Sequence, residues 1–230
     1  MTTFALKLLA MATMVIDHVG LCFFPDQIWI RCVGRLSFPI FAFLISEGFI
    51  HTSDKKRYAL RLGIFALVSE IPYDLCFHGA FFNPENQNIF FELLCGVAVL
   101  ACIEKAGENK AFLLLLPVLA AACEYLFFSY GTYGLALIAV FYLLRGVPAA
   151  RAVSAAAVTL LFNGVMNLKL PGGVWLLSLN GVQLWAAASS APLLFYNGKK
   201  GSGSFKWLFY GFYPGQLLVI FFVELALGAG

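Results

Sequence analysis

The sequence predicts an all-α protein, a polytopic transmembrane helix bundle of about nine spanning helices with a range of eight to ten. Three observations predict it: the balance of apolar to charged residues, the length of the apolar runs, and the residues that break them. Of 230 residues, 61% are apolar and 12% charged, with a mean hydropathy of +0.87. Soluble domains run nearer to roughly 45–50% and 25%. A coat of 15 Lys+Arg and 12 Asp+Glu cannot cover a water-soluble fold of this length, so the apolar surface faces lipid, and membrane lipid is the first partner. The net charge of +3 is small and dispersed, which excludes nucleic acid as a partner, because that requires a basic stripe on a polar surface.

A spanning helix needs roughly 17–25 mostly apolar residues. Nine candidate segments result: residues 4–24, 33–51, 59–77, 88–104, 110–128, 130–145, 149–168, 173–196 and 206–227. In the first, Asp17 and His18 interrupt the apolar run and no small-x-small cleavage site follows, so a retained helix is expected and not a secretory signal. The fifth and sixth meet at the turn-like run Ser129 to Gly134 and are expected to be short or re-entrant. The stretch 198–204 reads as a flexible linker. There is no internal repeat, so the inverted-repeat plan of many transporters gains no support. The whole chain, 1–230, reads as one integral-membrane domain. Its six cysteines, Cys22, Cys32, Cys76, Cys95, Cys102 and Cys123, form no C-x-x-C pair and sit mostly in apolar runs, where thiols pack as small hydrophobes and no metal or disulfide framework is expected.

Orientation follows from Lys and Arg, which cytoplasmic loops retain. Lys55, Lys56, Arg57 and Arg61 form the clearest block. With that loop inside, alternation puts Lys105/Lys110, Arg145/Arg151 and Lys199/Lys200/Lys206 on the same side. The N-terminus is then cytoplasmic, the C-terminus outside, and the Asp74 to Gln87 loop, without Lys or Arg, outside as well. Arg31, Arg35 and Lys169 are left on the outer side against the rule.

Charges at membrane depth cost a few kcal/mol, so they face the protein interior, pair, and mark sites. Here they gather in the first third of the chain. By depth, Asp17 and His18, Arg31 and Arg35, and Glu70 with Pro72 and Asp74 can meet near the outer face. Arg31 and Arg35, four apart, project from one helical face and could clamp a phosphate or carboxylate; equally, they could snorkel to headgroups or neutralise Asp17 and Glu70. His18 is a candidate general base. A second group, Glu47, His51, Thr52, Lys55, Lys56, Arg57, Tyr58 and Arg61, sits at the inner end, with Glu47 and His51 sharing a face at i,i+4. Its basic run could attract a polyanion, and it is also what cytoplasmic retention of positive charge produces anyway. Pro214 permits a kink, and Gln183 and Gln216 add hydrogen-bonding groups at depth. A buried Asp/His/Arg/Glu cluster of this kind also fits a proton- or ion-coupled transporter, and a non-catalytic membrane chaperone or scaffold is a third reading.

The ordered fragments Lys7, Met14-Val15-Ile16-Asp17-His18-Val19-Gly20, Arg31-Cys32-Val33-Gly34-Arg35-Leu36-Ser37-Phe38-Pro39, Ser46-Glu47-Gly48-Phe49, His51-Thr52, Tyr58-Ala59-Leu60-Arg61, Ser69-Glu70-Ile71-Pro72-Tyr73-Asp74, Tyr196-Asn197-Gly198 and Phe209-Tyr210-Gly211-Phe212-Tyr213-Pro214 resemble the TraX family of membrane acetyltransferases. The resemblance covers both ends of the chain. It implies an acetyl-CoA-dependent enzyme of the bacterial inner membrane, since the founding members acetylate the N-terminus of pilin; they are distantly similar to larger transmembrane acyltransferases with a membrane histidine as base. The acceptor so implied is an amine or hydroxyl on a protein, glycan, lipid or small molecule. His18 takes the base role, with Asp17, Arg35 and Glu70 as its catalytic companions. The acyl donor falls to Arg31, Glu47, His51, Lys55, Arg57, Tyr58, Arg61, Tyr196, Asn197 and Lys199, and no metal is implied. One departure is Gln216, where family members often carry His two residues after the tyrosine-proline pair.

Overall fold

The computed structural model describes residues 1–165, 181–201 and 206–228. The start of the expected 173–196 span, the end of the 149–168 span, Lys169 and the 202–204 part of the linker lie outside the described residues. The described chain is helical, with only an isolated bridge between Gln87 and Phe128 in place of strand. Ten α-helices run in order: α1 Thr3–Phe23, α2 Ile28–Gly34, α3 Ser37–His51, α4 Lys55–His78, α5 Ile89–Lys105, α6 Leu115–Tyr125, α7 Gly131–Leu143, α8 Pro148–Leu160, α9 Ser190–Leu194 and α10 Lys206–Leu227. Short 3-10 turns precede α6 (Lys110–Leu114) and α9 (Gln183–Ser189), and a π turn, Leu161–Val165, follows α8.

The helical class is as expected; the count of nine spans is corrected. Three stretches among the described residues are long and apolar enough to cross a membrane: Thr3–Phe23, Ile28–His51 (α2 and α3 nearly continuous) and Trp207–Leu227. Local stops shorten the others. Asn109 caps a 3-10 turn, accepting from the Ala111 amide at 2.9 Å, so the 110–128 run yields an α-helix of only 11 residues. The 130–145 run gives 13 residues, and the 149–168 run gives 13 before its π turn. α4 has the length, 24 residues, but carries Lys55, Lys56, Arg57, Arg61, Glu70 and Asp74.

The chain divides into two compact units, Met1–Leu44 with Ala136–Gly203 and Ile45–Leu135 with Ser204–Gly230. In the first, the start of α1 is tied down by the 195–200 segment. Its N-terminal ammonium donates to the Phe195 carbonyl, the Asn197 amide to the Met1 carbonyl (2.9 Å), and the Thr3 amide to the Lys199 carbonyl (2.9 Å). The Thr2 hydroxyl oxygen caps the helix by accepting from the Ala5 amide at 3.2 Å. These contacts use donors that a helix start otherwise leaves unsatisfied. α1 then packs on α2 at two glycines. A Cβ on Gly20 would lie 2.6 Å from Ile30 Cγ2, and one on Gly34 would lie 2.6 Å from the Asp17 Cα. Behind them Phe43 packs edge-on against both Phe141 (5.5 Å) and Tyr196 (5.0 Å).

In the second unit α4 packs against α5 and α10. Phe65 stacks on Tyr210 at 5.0 Å, and Phe90 meets Tyr213 edge-on at 5.5 Å. Asp54 caps α4 through the Arg57 amide (2.9 Å), and Gly79, at φ +64°, ends it in the left-handed region. Asn88 caps α5, its Oδ1 accepting from the Phe90 amide at 3.0 Å. The start of α7 is held by two carboxylates from neighbouring helices. Glu92, fully buried on α5, accepts from the amides of Tyr130 (2.9 Å) and Gly131 (3.1 Å), and Glu124 on α6 accepts from the amide (2.8 Å) and hydroxyl (2.7 Å) of Thr132. Negative charge at a helix N-terminus is favourable both to the exposed amides and to the dipole.

Gly34 is the tightest of these contacts, because a side chain there meets backbone and not a flexible tip. Gly34→Ala is expected to cost about 1–3 kcal/mol of overpacking, read as a lowered thermal midpoint in detergent.

Candidate active site

Asp17 sits in the C-terminal third of α1, buried, and its carboxylate receives two arginines. Arg31, in the last turn of α2, donates through Nε to Oδ1 at 2.9 Å; Arg35, at the end of that helix, donates through Nη2 to Oδ1 at 3.0 Å and Oδ2 at 2.8 Å. The i,i+4 spacing that predicted a shared arginine face is thus realised, and Gly34 lets that face close on Asp17. Of the two ways the arginines could be neutralised, Asp17 takes both. Glu70 belongs to the second unit, where its partner is Asn88.

The charge count of the cluster is informative. Among the described residues, two guanidiniums meet one carboxylate, a formal excess of one positive charge, in a setting where the three side chains are only 11–22% exposed. His18 follows Asp17 on α1, half-buried and within electrostatic reach of Asp17, Arg31 and Arg35. A fourth member is Gln183, buried at the start of the 3-10 turn, whose Oε1 accepts from Arg35 Nη1 at 3.3 Å. Because a guanidinium only donates, the amide must turn its oxygen to Arg35, which leaves Nε2 pointing elsewhere as a donor. That Nε2 is buried and has no partner among the described residues. The arrangement can therefore hold developing negative charge beside an imidazole.

The other expected site residues fall into separate places. Tyr196, Asn197 and Lys199 lie in the segment that secures the chain's start; the Tyr196 hydroxyl pairs with the Thr3 hydroxyl at 3.1 Å, and Asn197 Oδ1 accepts from the Lys199 amide at 3.1 Å. In the second unit, buried Glu47 lies 3.5 Å from exposed His51. Lys55 pairs with Glu104 and caps the Phe49 ring at 4.6 Å, while Arg57 pairs with Asp54 at 3.1 Å. Tyr58 is buried against Gly48, where a Cβ would stand 2.6 Å from its hydroxyl. Arg61 lies over the Tyr58 ring at 5.7 Å, and its Nε has no hydrogen-bond acceptor among the described residues. Glu70 is placed by Asn88, whose Nδ2 donates both to it and to the Ala66 carbonyl (2.8 Å).

Sequence reasoning passed over several of these residues. Arg151 was counted as a loop cation, yet it is buried on α8 with its guanidinium 4.2 Å from the Phe43 ring. Asn88 and Glu92 go unremarked in the sequence reading, although polar residues in an apolar run are the signal that marks structural or functional pairing. Gln183 was noted only as a hydrogen-bonding group at depth.

Among the described residues, helices throughout, three stretches long and apolar enough to cross a bilayer and a buried carboxylate that gathers two arginines define a class, that of integral membrane proteins with a buried polar cluster. The chain belongs to the TraX family: the model of that family, described as TraX protein, matches residues 3–224. Among curated proteins, the chain is 27% identical over 237 residues to the probable fimbrial assembly protein FimC, serogroup H1, of Dichelobacter nodosus, covering 95% of this chain and 94% of that one. It is 30% identical over 139 residues to protein TraX of Escherichia coli, covering 60% of this chain and 54% of that one. It is also 35% identical over 66 residues to an uncharacterized protein of Rickettsia prowazekii, covering 29% and 25%. No solved structure matches.

Two substitutions separate the buried cluster from the exposed pairs. Asp17→Ala strands two guanidiniums and is expected to lower stability by about 3–5 kcal/mol. Lys55→Ala, in a pair 37% and 45% exposed, is expected to cost about 1 kcal/mol or less. Denaturation in detergent measures both.

Proposed function

We propose that the chain is an integral-membrane acetyltransferase that moves an acetyl group from acetyl-CoA to an amine or hydroxyl. The observation that carries this reading is the surplus positive charge of Arg31 and Arg35 over Asp17, set beside His18 and the unpartnered donor of Gln183. In the proposed step the acceptor's nitrogen or oxygen attacks the thioester carbon while His18 takes its proton. The carbonyl oxygen gains negative charge, which the arginine surplus and Gln183 Nε2 stabilise. The C–S bond then breaks and the thiol of coenzyme A leaves with a proton, so no acetylated enzyme is needed. Asp17 is a positioning residue that aims both arginines.

Within the second unit, basic side chains are proposed to hold phosphate groups. Arg61 offers an Nε without a hydrogen-bond acceptor among the described residues, and Lys55 and Arg57, in exposed pairs, can exchange a carboxylate for a phosphate at little cost. In this reading Glu47 and His51 lie beside the same basic residues of the second unit. The N-terminus is cytoplasmic, the C-terminus outside, and the membrane is the bacterial inner membrane. The names of the relatives, one a fimbrial assembly protein, support a fimbrial subunit as acceptor.

The test is transfer from labelled acetyl-CoA by purified protein to a fimbrial-subunit N-terminal peptide. His18→Ala is expected to lose about 100-fold or more in rate; wild-type rates in that variant would exclude His18 as the base. Gln183→Glu keeps an acceptor for Arg35 and loses the donor, so it is expected to lower kcat about 100-fold with little change in KM for acetyl-CoA.

A further inference from the structure

In the second unit, α5 and α6 pack on one another with two thiols at their contact. Cys95 Sγ and Cys123 Sγ are 3.3 Å apart, both are free, Cys95 is half-buried and Cys123 fully buried. A disulfide needs about 2 Å between sulfurs, so bond formation asks for a small approach of side chains already in contact. The position of the pair gives it a consequence. Cys95 lies three residues after Glu92, and Cys123 immediately precedes Glu124, the two carboxylates that hold the start of α7. The Gln87 amide also donates to the Phe127 carbonyl at 3.3 Å at this end. Cys95 lies six residues from the start of α5, about 9 Å along the axis, and Cys123 two residues from the end of α6, about 3 Å.

We propose that Cys95 and Cys123 form a reversible disulfide that locks the double carboxylate grip on α7. The oxidant is an external disulfide, small or protein-borne. The Cys95 thiolate attacks it and expels one thiol, forming a mixed disulfide; Cys123 then gives up its proton and attacks the Cys95 sulfur, expelling the second. The two cysteines lose two electrons and two protons, which leave on the two thiols released. The proposal does not depend on acetyl transfer.

The experiment treats the full-length wild-type protein in detergent with oxidised glutathione, then counts thiols and maps linked peptides by mass spectrometry. Free thiols are expected to fall from six by two, with the link joining Cys95 to Cys123 within one chain and dithiothreitol restoring both. Amide exchange at Tyr130 to Thr132 is expected to slow about tenfold in the oxidised form. Cys95→Ser should show no link to Cys123 under the same treatment. Retention of all six thiols, or a link between other cysteines, overturns the pair, and unchanged exchange at those amides overturns the lock.

Discussion

A carboxylate and two guanidiniums removed from water together each carry a desolvation cost of several kcal/mol unless they meet with good geometry. Asp17, Arg31 and Arg35 meet, through three hydrogen bonds of 2.8–3.0 Å. Much else in the first unit serves that meeting. The short α2 exists to bring both arginines onto one face, Gly34 lets α2 approach the α1 backbone, and Gln183 takes a remaining N–H of Arg35. The interaction also leaves a residue of charge. A neutral pair would be a packing device only, whereas two cations on one anion leave the cluster suited to hold an anion or a developing oxyanion.

The second unit solves a related problem with opposite sign. Three of its carboxylates, one of them fully buried, find backbone and side-chain donors. Glu92 and Glu124 take the first amides of α7, and Glu70 takes the Asn88 side chain while that residue also caps α5. Gly131 is required where these lines converge, being at φ +51° with the Glu124 carboxylate 2.6 Å from where a Cβ would stand. One unit thus concentrates positive charge on a single acid, and the other spends its acids on helix ends.

The helical class and the shared face of Arg31 and Arg35 were legible because charge in an apolar run is a strong signal and a four-residue spacing dictates a common face, whereas Glu70, expected beside them, pairs with Asn88. The shared partner of the two arginines was not legible, since Asp17 and Glu70 sat at the same expected depth and hydropathy carries no azimuth. Gly34 reads in the sequence as any glycine; its role depends on which helix crosses it. The number of spans failed for a local reason, in that the 110–128 run opens on the 3-10 turn Lys110–Leu114 and the 149–168 run passes into a π turn at Leu161, changes of winding that hydropathy does not register. Arg151 was misread because proximity to a charged turn resembles a loop, while its burial against Phe43 comes from tertiary packing alone.

The central claim is that the acetyl carbonyl is received where the arginine surplus, Gln183 and His18 converge. An experimental structure with a non-hydrolysable acetyl-CoA analogue addresses it most directly. The account expects the carbonyl oxygen within hydrogen-bond reach of Gln183 Nε2 or Arg35, with the carbonyl carbon facing His18. An analogue seated with its acyl group on other helices, with Asp17, Arg31 and Arg35 untouched, would contradict it.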